Sequence, residues 1–339
     1  MTDKTAIAFD LISPFHIASA LAAIGKDDNV TSAVLYILPN LQGKYVLEPQ
    51  EFKFKGITVR IEIQPSIKGS KILNLIRFFI FWIMWLTLGR FLQKRHYILH
   101  HTYFKVTCFQ FLSLKEALRM EYGAFEEGIG TYGDLKHHIA VAKRENKKFP
   151  ILLNSLKSIL KRLVNYNFRV LKNPDRKDLE AFYEAIGSLT INVYQKDVEI
   201  ELSQLNSKSQ MNSGVIFFSA PFIDLLNVSL KDFDDLLKSI SMQYPPGSIY
   251  IKPHPLEIKS IPIYESHGFK VLSNKLPAEI VLYMLKPKKI IGAFSTSLLV
   301  AKHVFNIEIE NLNLSSLEDE SVKPTMAVES LFNGFKNEN

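Results

Sequence analysis

The chain has 339 residues, 47% of them hydrophobic and 22% charged, which is enough to bury a sizeable core and too long for one ordinary domain, so two domains are expected. A single cysteine, Cys108, excludes an internal disulfide framework, and no Cys/His spacing suggests structural zinc; both fit a reducing, cytoplasmic compartment. The net charge of +7 admits an anionic surface, an anionic substrate or nucleic acid and does not choose among them.

The N-terminal MTDKTAIAFD lacks the basic, apolar and small-residue succession of a signal peptide, so export is not expected. Residues 5–9 (TAIAF) predict a buried strand, Ser13-Pro14 a turn, and 16–24 an Ala-rich helix. Strands follow at 32–38 (SAVLYIL) and 57–63 (ITVRIEI). The most apolar part, 72–92, has its uninterrupted run only between Arg77 and Arg90, short of the roughly 20 residues a membrane span needs, and predicts a buried or interfacial helix. A strand at 97–103, a helix at 108–118 and a strand at 118–125 complete an alternation that implies a mainly parallel sheet.

Composition changes at 143–172, where apolar residues recur at helical spacing among Lys157, Lys161, Arg162 and Arg169. A basic amphipathic helix at about 150–172 is predicted. The polar stretch 203–213 (SQLNSKSQMNS) reads as a linker, which puts the domains at 1–210 and 211–339. The second half repeats the alternation: strands at 215–219, 248–252, 269–271 and 289–292, and helices at 230–241 and 278–285.

In open α/β sheets the reactive crevice lies beyond the carboxyl ends of the strands, so motifs at those ends come first. Glu126-Glu127-Gly128 sets two carboxylates side by side; mutual repulsion and desolvation raise a carboxylate pKa toward that of a useful general base. Gly128 and Gly130 let the backbone turn and leave room for a substrate; the alternative is a solvated acidic turn. In Lys252-Pro253-His254-Pro255 two prolines hold the chain extended around an imidazole, a stiff mount that suits a phosphate. The alternative there is a loop histidine between turn prolines. Ser295-Thr296-Ser297 open a helix after the strand KIIG, where hydroxyls and amides either form an anion site or merely cap. Glu279, in the first turn of a helix after Pro277, could hold a ribose diol or complement the helix dipole. No phosphate-binding glycine loop and no Asp-x-Asp pair at a strand end is present, so chemistry without a metal is expected.

Taken in order, Glu-Glu-Gly, Lys-Pro-His-Pro and the Ser-Thr-Ser helix start resemble the bacterial sialyltransferase superfamily, with its (Asp/Glu)-(Asp/Glu)-Gly, His-Pro and Ser/Thr motifs, and come closest to the capsule polysialyltransferases. The resemblance implies a GT-B glycosyltransferase with two Rossmann-like domains facing across a cleft, an acceptor-side N-terminal domain and a nucleotide-sugar-binding C-terminal one. It implies inverting, metal-independent transfer from CMP-sialic acid with no cofactor. Carried over by position, Glu126 is the general base with Glu127 its understudy, and His254 binds the phosphate and assists its departure. Ser295, Thr296 and Ser297 hold the same phosphate, Glu279 the ribose, Ser219 the nucleotide, and Lys252 and Pro255 flank the histidine in the donor site. Ser13, Pro14 and His16 form the acceptor-side loop, with Gly128 and Gly130 beside it. The Ser-Thr-Ser run departs from a simple serine pair and leaves open which hydroxyl matters.

The expected acceptor is a glycan, including a lipid-linked or polyanionic one, since a lysine-bearing helix attracts anionic lipid and polysialic acid alike. Cytoplasmic residence, including the inner membrane face alongside capsule-assembly proteins, follows. The charge lies on one amphipathic stretch without interleaved aromatics, so nucleic acid is not an expected partner. Two other readings stand beside capsule polymerisation: a lipooligosaccharide enzyme adding one sialic acid, and a glycan-binding subunit without turnover.

Overall fold

The computed structural model describes residues 3–38, 48–65, 80, 83–85, 87–100, 113–132, 166–205, 214–224, 228–244, 248–293, 295–312 and 326–332. The expected linker from 206 on, the helix at 108–112 and the basic helix as far as 165 lie outside these residues, as does Cys108. The chain packs as two compact units, Met1–Glu127 with Leu163–Arg169, and Gly128–Arg162 with Val170–Asn339.

The first unit is built on a six-stranded sheet. Its strands are β1 (Lys4–Leu11), β2 (Val30–Ile37), β3 (Gln50–Phe54), β4 (Ile57–Ile63), β5 (His96–His100) and β6 (Met120–Ala124), in the order β3-β4-β2-β1-β5-β6. All neighbours pair in parallel except β3 with β4, an antiparallel hairpin. That hairpin strand was not expected, because QEFKF alternates too briefly to stand out. Helix α1 (Pro14–Ile24) has every residue buried, which is why its sequence is small and apolar all round. Ser13 caps it by accepting from the His16 N–H at 3.3 Å, a contribution of about 1 kcal/mol.

The apolar segment before β5 is helical at residues 80, 83–85 and 87. Met84 and Trp85 pack on the core around Phe9, Ile98 and Met120, while Ile80, Ile83 and Leu88 are exposed. A short helix, α2 (Leu114–Ala117), precedes β6. Residues 166–172, expected to be part of the basic amphipathic helix, are not helical: Phe168 is buried and bridges Phe125 in parallel. Among the described residues no helix is long and apolar enough to cross a membrane.

In the second unit, after the 3₁₀ turn Ile129–Thr131, the described helices begin with α3 (Arg176–Asn192) and α4 (Gln195–Gln204). The five-stranded, wholly parallel sheet that follows has the order β11-β10-β7-β8-β9, built from β7 (Val215–Phe218), β8 (Ile249–Lys252), β9 (Lys270–Val271), β10 (Lys289–Gly292) and β11 (Glu308–Asn311). Between the strands run α5 (Leu230–Gln243), α6 (Ile261–Ser266), α7 (Ala278–Leu285) and α8 (Thr296–Phe305), with α9 (Met326–Glu329) after them. Helix α3 packs against α7 and α8, which is why it belongs to this unit and not to a first domain ending at 210. Gly187 permits the approach, since a Cβ there would lie 2.8 Å from the Tyr283 hydroxyl.

In each sheet the strand order reverses once, between β1 and β5 in the first and between β7 and β10 in the second. Loops diverge at such a reversal and leave a crevice beyond the carboxyl ends of the two strands. Ser13-Pro14 follows β1, Ser219 follows β7 and Ser295-Thr296-Ser297 follow β10, while the acidic pair and the histidine loop follow β6 and β8, the strands next to these.

Candidate active site

In the first unit the β1 and β5 ends carry Asp10 and His100, and Gln64 follows β4. These three polar side chains are only 3–4% exposed. Asp10 adopts a left-handed backbone, φ 55°, where β1 breaks register with β2. Its carboxylate takes the Gln64 amide N–H at 2.8 Å and meets His100 Nε2 at 2.8 Å, while its own N–H donates to the Gln64 side-chain oxygen at 2.8 Å. The His100 carbonyl accepts the Phe125 N–H at 3.2 Å, so this cluster supports the strand end that delivers Glu126. None of the three belongs to a sequence motif. The available signal was a charged or imidazole side chain closing each of two apolar strands.

Glu126 is fully buried, whereas Glu127 is half-exposed. The Glu127 backbone is held by His16, whose Nδ1 accepts the Ile12 N–H at 3.2 Å and whose Nε2 therefore carries the proton donated to the Glu127 carbonyl at 2.9 Å. His16 is buried and edge-on to Phe125 at 6.0 Å. Ser13, Pro14 and His16 thus join the acidic motif in one constellation, with the imidazole serving as an internal strut.

In the second unit, Gly128 sits at φ 114° and a Cβ on it would lie 2.8 Å from Thr296 Oγ1. The next residue, Ile129, donates its N–H to that same hydroxyl at 3.1 Å. Gly130 lies in a single 3₁₀ turn with open space where a Cβ would go, so only Gly128 of the pair requires glycine. The turn after the acidic pair and the Ser-Thr-Ser helix start are therefore in contact through Ile129 and Thr296, 167 residues apart.

Ser295 stands at the N-cap position of α8 but its hydroxyl makes no cap bond. That oxygen is buried and has no hydrogen-bond partner. Simple capping therefore does not account for the hydroxyl, which stands at the N-terminus of α8 beside helix amides of the kind that bind anions. Gly292 at the end of β10 lets the chain pass β7 closely, since a Cβ would meet the Phe218 carbonyl at 2.9 Å.

The β8 end leads into the histidine loop. His254 is half-buried, and its Nδ1 accepts the Leu256 N–H at 3.2 Å. The neutral ring then bears its proton on Nε2, the tautomer that donates to an oxyanion. Pro255 is half-buried beside it. Lys252 is buried and donates to the Pro253 carbonyl at 2.7 Å. Burial pushes its ammonium down to about 8 against the pull of Glu257, Glu201 and Glu279. Glu279 is buried at the start of α7, its carboxyl pushed up by burial and drawn back by its own N–H and by Lys252. Lys252 and Glu279 thus share a cluster beneath the loop.

Ser219, after β7, has its hydroxyl engaged with the Glu257 carboxylate at 3.0 Å and with the Tyr264 hydroxyl. Glu257, Tyr264 and Glu201 were not anticipated from the sequence. Glu201 lies on α4 next to the stretch read as linker, and its carboxylate accepts the Ser273 N–H. Among the described residues no group of acidic, histidine or cysteine side chains could hold a metal ion.

Two α/β units, each built on a largely parallel sheet whose strand order reverses once, define a Rossmann-like fold class. A family model described as Alpha-2,8-polysialyltransferase (POLYST) matches residues 92–309, more than half of the chain. The chain belongs to that family and is a sialyltransferase, acting with a sialyl donor and a glycan acceptor.

A search of curated protein sequences gives no match. Among solved structures, the chain is similar to an alpha/beta-galactoside alpha-2,3-sialyltransferase from Photobacterium phosphoreum, at 14% identity over 98% of this chain and 97% of that one, TM-score 0.47. It is similar also to a UDP-GlcNAc 2-epimerase from Neisseria meningitidis, at 15% identity over 95% and 85%, TM-score 0.46.

Proposed function

We propose that the protein transfers sialic acid from CMP-sialic acid, with inversion and without a metal ion, to the end of a sialylated glycan, building an alpha-2,8-linked capsular polymer. The observation that carries this reading is the bond from the Ile129 N–H to Thr296 Oγ1. It ties the residues that directly follow the acidic pair to the hydroxyl cluster at the α8 N-terminus. The family assignment supplies the sialyl chemistry and the polymer.

In this reading Glu126 accepts the proton of the acceptor hydroxyl as its oxygen attacks the anomeric carbon. The bond from that carbon to the phosphate oxygen breaks, and its electron pair leaves with CMP. His254 Nε2–H donates to the departing phosphate, with Ser295 and the α8 amides beside it. CMP carries a single phosphate of modest charge, so such donors suffice for a role that diphosphate donors often give to a metal. The sheltered position of Glu126 favours it over the half-exposed Glu127 as the base. The enzyme works in the cytoplasm or on its membrane face, on a lipid-linked or polyanionic acceptor.

The test is incubation with CMP-sialic acid, EDTA and a panel of short acceptors. A product ladder on a sialylated primer is expected, unaffected by EDTA, with Glu126→Gln and His254→Ala each reducing turnover by about 10²-fold or more. A single addition would replace polymerisation with the lipooligosaccharide reading. CMP release without any glycan product would overturn the transferase assignment.

A further inference from the structure

Of the three residues 253–255, two are proline, so the loop around the imidazole has a single backbone N–H, that of His254. It is donated to Oε2 of Glu257 at 2.6 Å. The Glu257 N–H returns to the His254 carbonyl at 2.9 Å, closing the turn. The other carboxylate oxygen, Oε1, accepts the Tyr264 hydroxyl at 2.6 Å and the Ser219 hydroxyl at 3.0 Å. Glu257 and Tyr264 are both fully buried. The Tyr264 ring is packed among Phe222, Phe233 and Phe269 in the core of the second unit, edge-on to Phe233.

A carboxylate anchored to a packed tyrosine on one side and to the β7 loop on the other therefore grips the amide that carries the imidazole. Burying such a group costs several kcal/mol unless its hydrogen bonds are made. Here both oxygens are satisfied, and one of them is given to the only N–H of the 253–255 stretch.

We propose that Glu257 is a positioning residue for His254: it fixes the loop so that the imidazole Nε2–H meets the departing phosphate, and Tyr264 holds Glu257 in place. This rests on the reading of His254 as the phosphate donor given above. A displacement of about 1 Å in such a group is enough to cost up to about 10²-fold in rate, so the support acts on kcat more than on donor binding.

The test is a double-mutant cycle with CMP release and polymer formation as readouts. Glu257→Ala is expected to lower kcat by roughly 10- to 100-fold with a smaller change in KM. Glu257→Gln keeps an acceptor for the His254 N–H and should retain activity within a few-fold. In a His254→Gln background, Glu257→Ala should cost less than about twofold more, because its effect passes through the imidazole. If Glu257→Ala does not fold, Tyr264→Phe carries the same comparison, with about a 3- to 10-fold loss of kcat in the native background and none beside His254→Gln. Additive losses, or equal losses in Glu257→Ala and Glu257→Gln, overturn the inference while leaving His254 in its role. Full activity of His254→Gln removes that role itself, and the inference with it.

Discussion

Replacing Gly128 with alanine tests whether the turn after the acidic pair is held as tightly against α8 as its geometry indicates. The backbone there has φ 114° and ψ −164°, a region in which a non-glycine residue costs about 1–3 kcal/mol. The new Cβ would stand 2.8 Å from Thr296 Oγ1, so Thr296 must leave its rotamer at about 0.5–1.5 kcal/mol and its bond with Ile129 is strained. A total of about 1.5–4.5 kcal/mol follows, a drop of roughly 3–18 °C in melting temperature for a domain of this size. Thermal unfolding by circular dichroism reads the loss, and CMP release reads the effect on turnover, which should fall with it. Adding Thr296→Ala should recover the steric part and leave the backbone part. Gly130→Ala, with open space around its Cβ, should melt as the native chain does. An unchanged melting temperature and turnover in Gly128→Ala would refute the argument.

Ser295→Ala should leave stability unchanged, because its hydroxyl has no internal partner, yet raise KM for CMP-sialic acid several-fold; an unaltered KM in steady-state kinetics excludes the oxygen from the donor site. Asp10→Asn leaves an N–H facing either the Gln64 amide or His100, so urea titration should register a loss of about 1–3 kcal/mol, and no loss would mean the buried triad is not a cooperative network. Stability should also depend on pH through two buried groups. Burial pushes Glu257 up to about 7 against the bonds from Tyr264, the His254 N–H, Ser219 and Ser260; a raised carboxyl binds more protons folded than unfolded, so its contribution is complete below pH 4.5 and is lost as pH rises to about 7. Lys252, lowered to about 8, works the other way: stability recovers as pH climbs from about 8 toward the unfolded value. Melting temperature against pH should show both slopes in the native protein, with Glu257→Gln abolishing the acidic one and Lys252→Met the alkaline one.

Where side chains repeat with a period, the sequence already determined the architecture. The strands β4 and β10 and the helix α7 have the bounds that their alternation or apolar spacing indicates, because one-face burial is written locally, residue by residue. The motifs were legible for a related reason: glycine, proline and hydroxyl residues next to a strand end restrict the backbone whatever surrounds them. Only tertiary structure decided which of those residues are occupied with one another. His16 as a strut for Glu127, Ser219 committed to Glu257, and the Asp10, Gln64 and His100 cluster all depend on partners 38 to 111 residues away. A buried charge has no sequence period; its place is set by which partner the topology delivers, and that is fixed only when the sheets have ordered their strands.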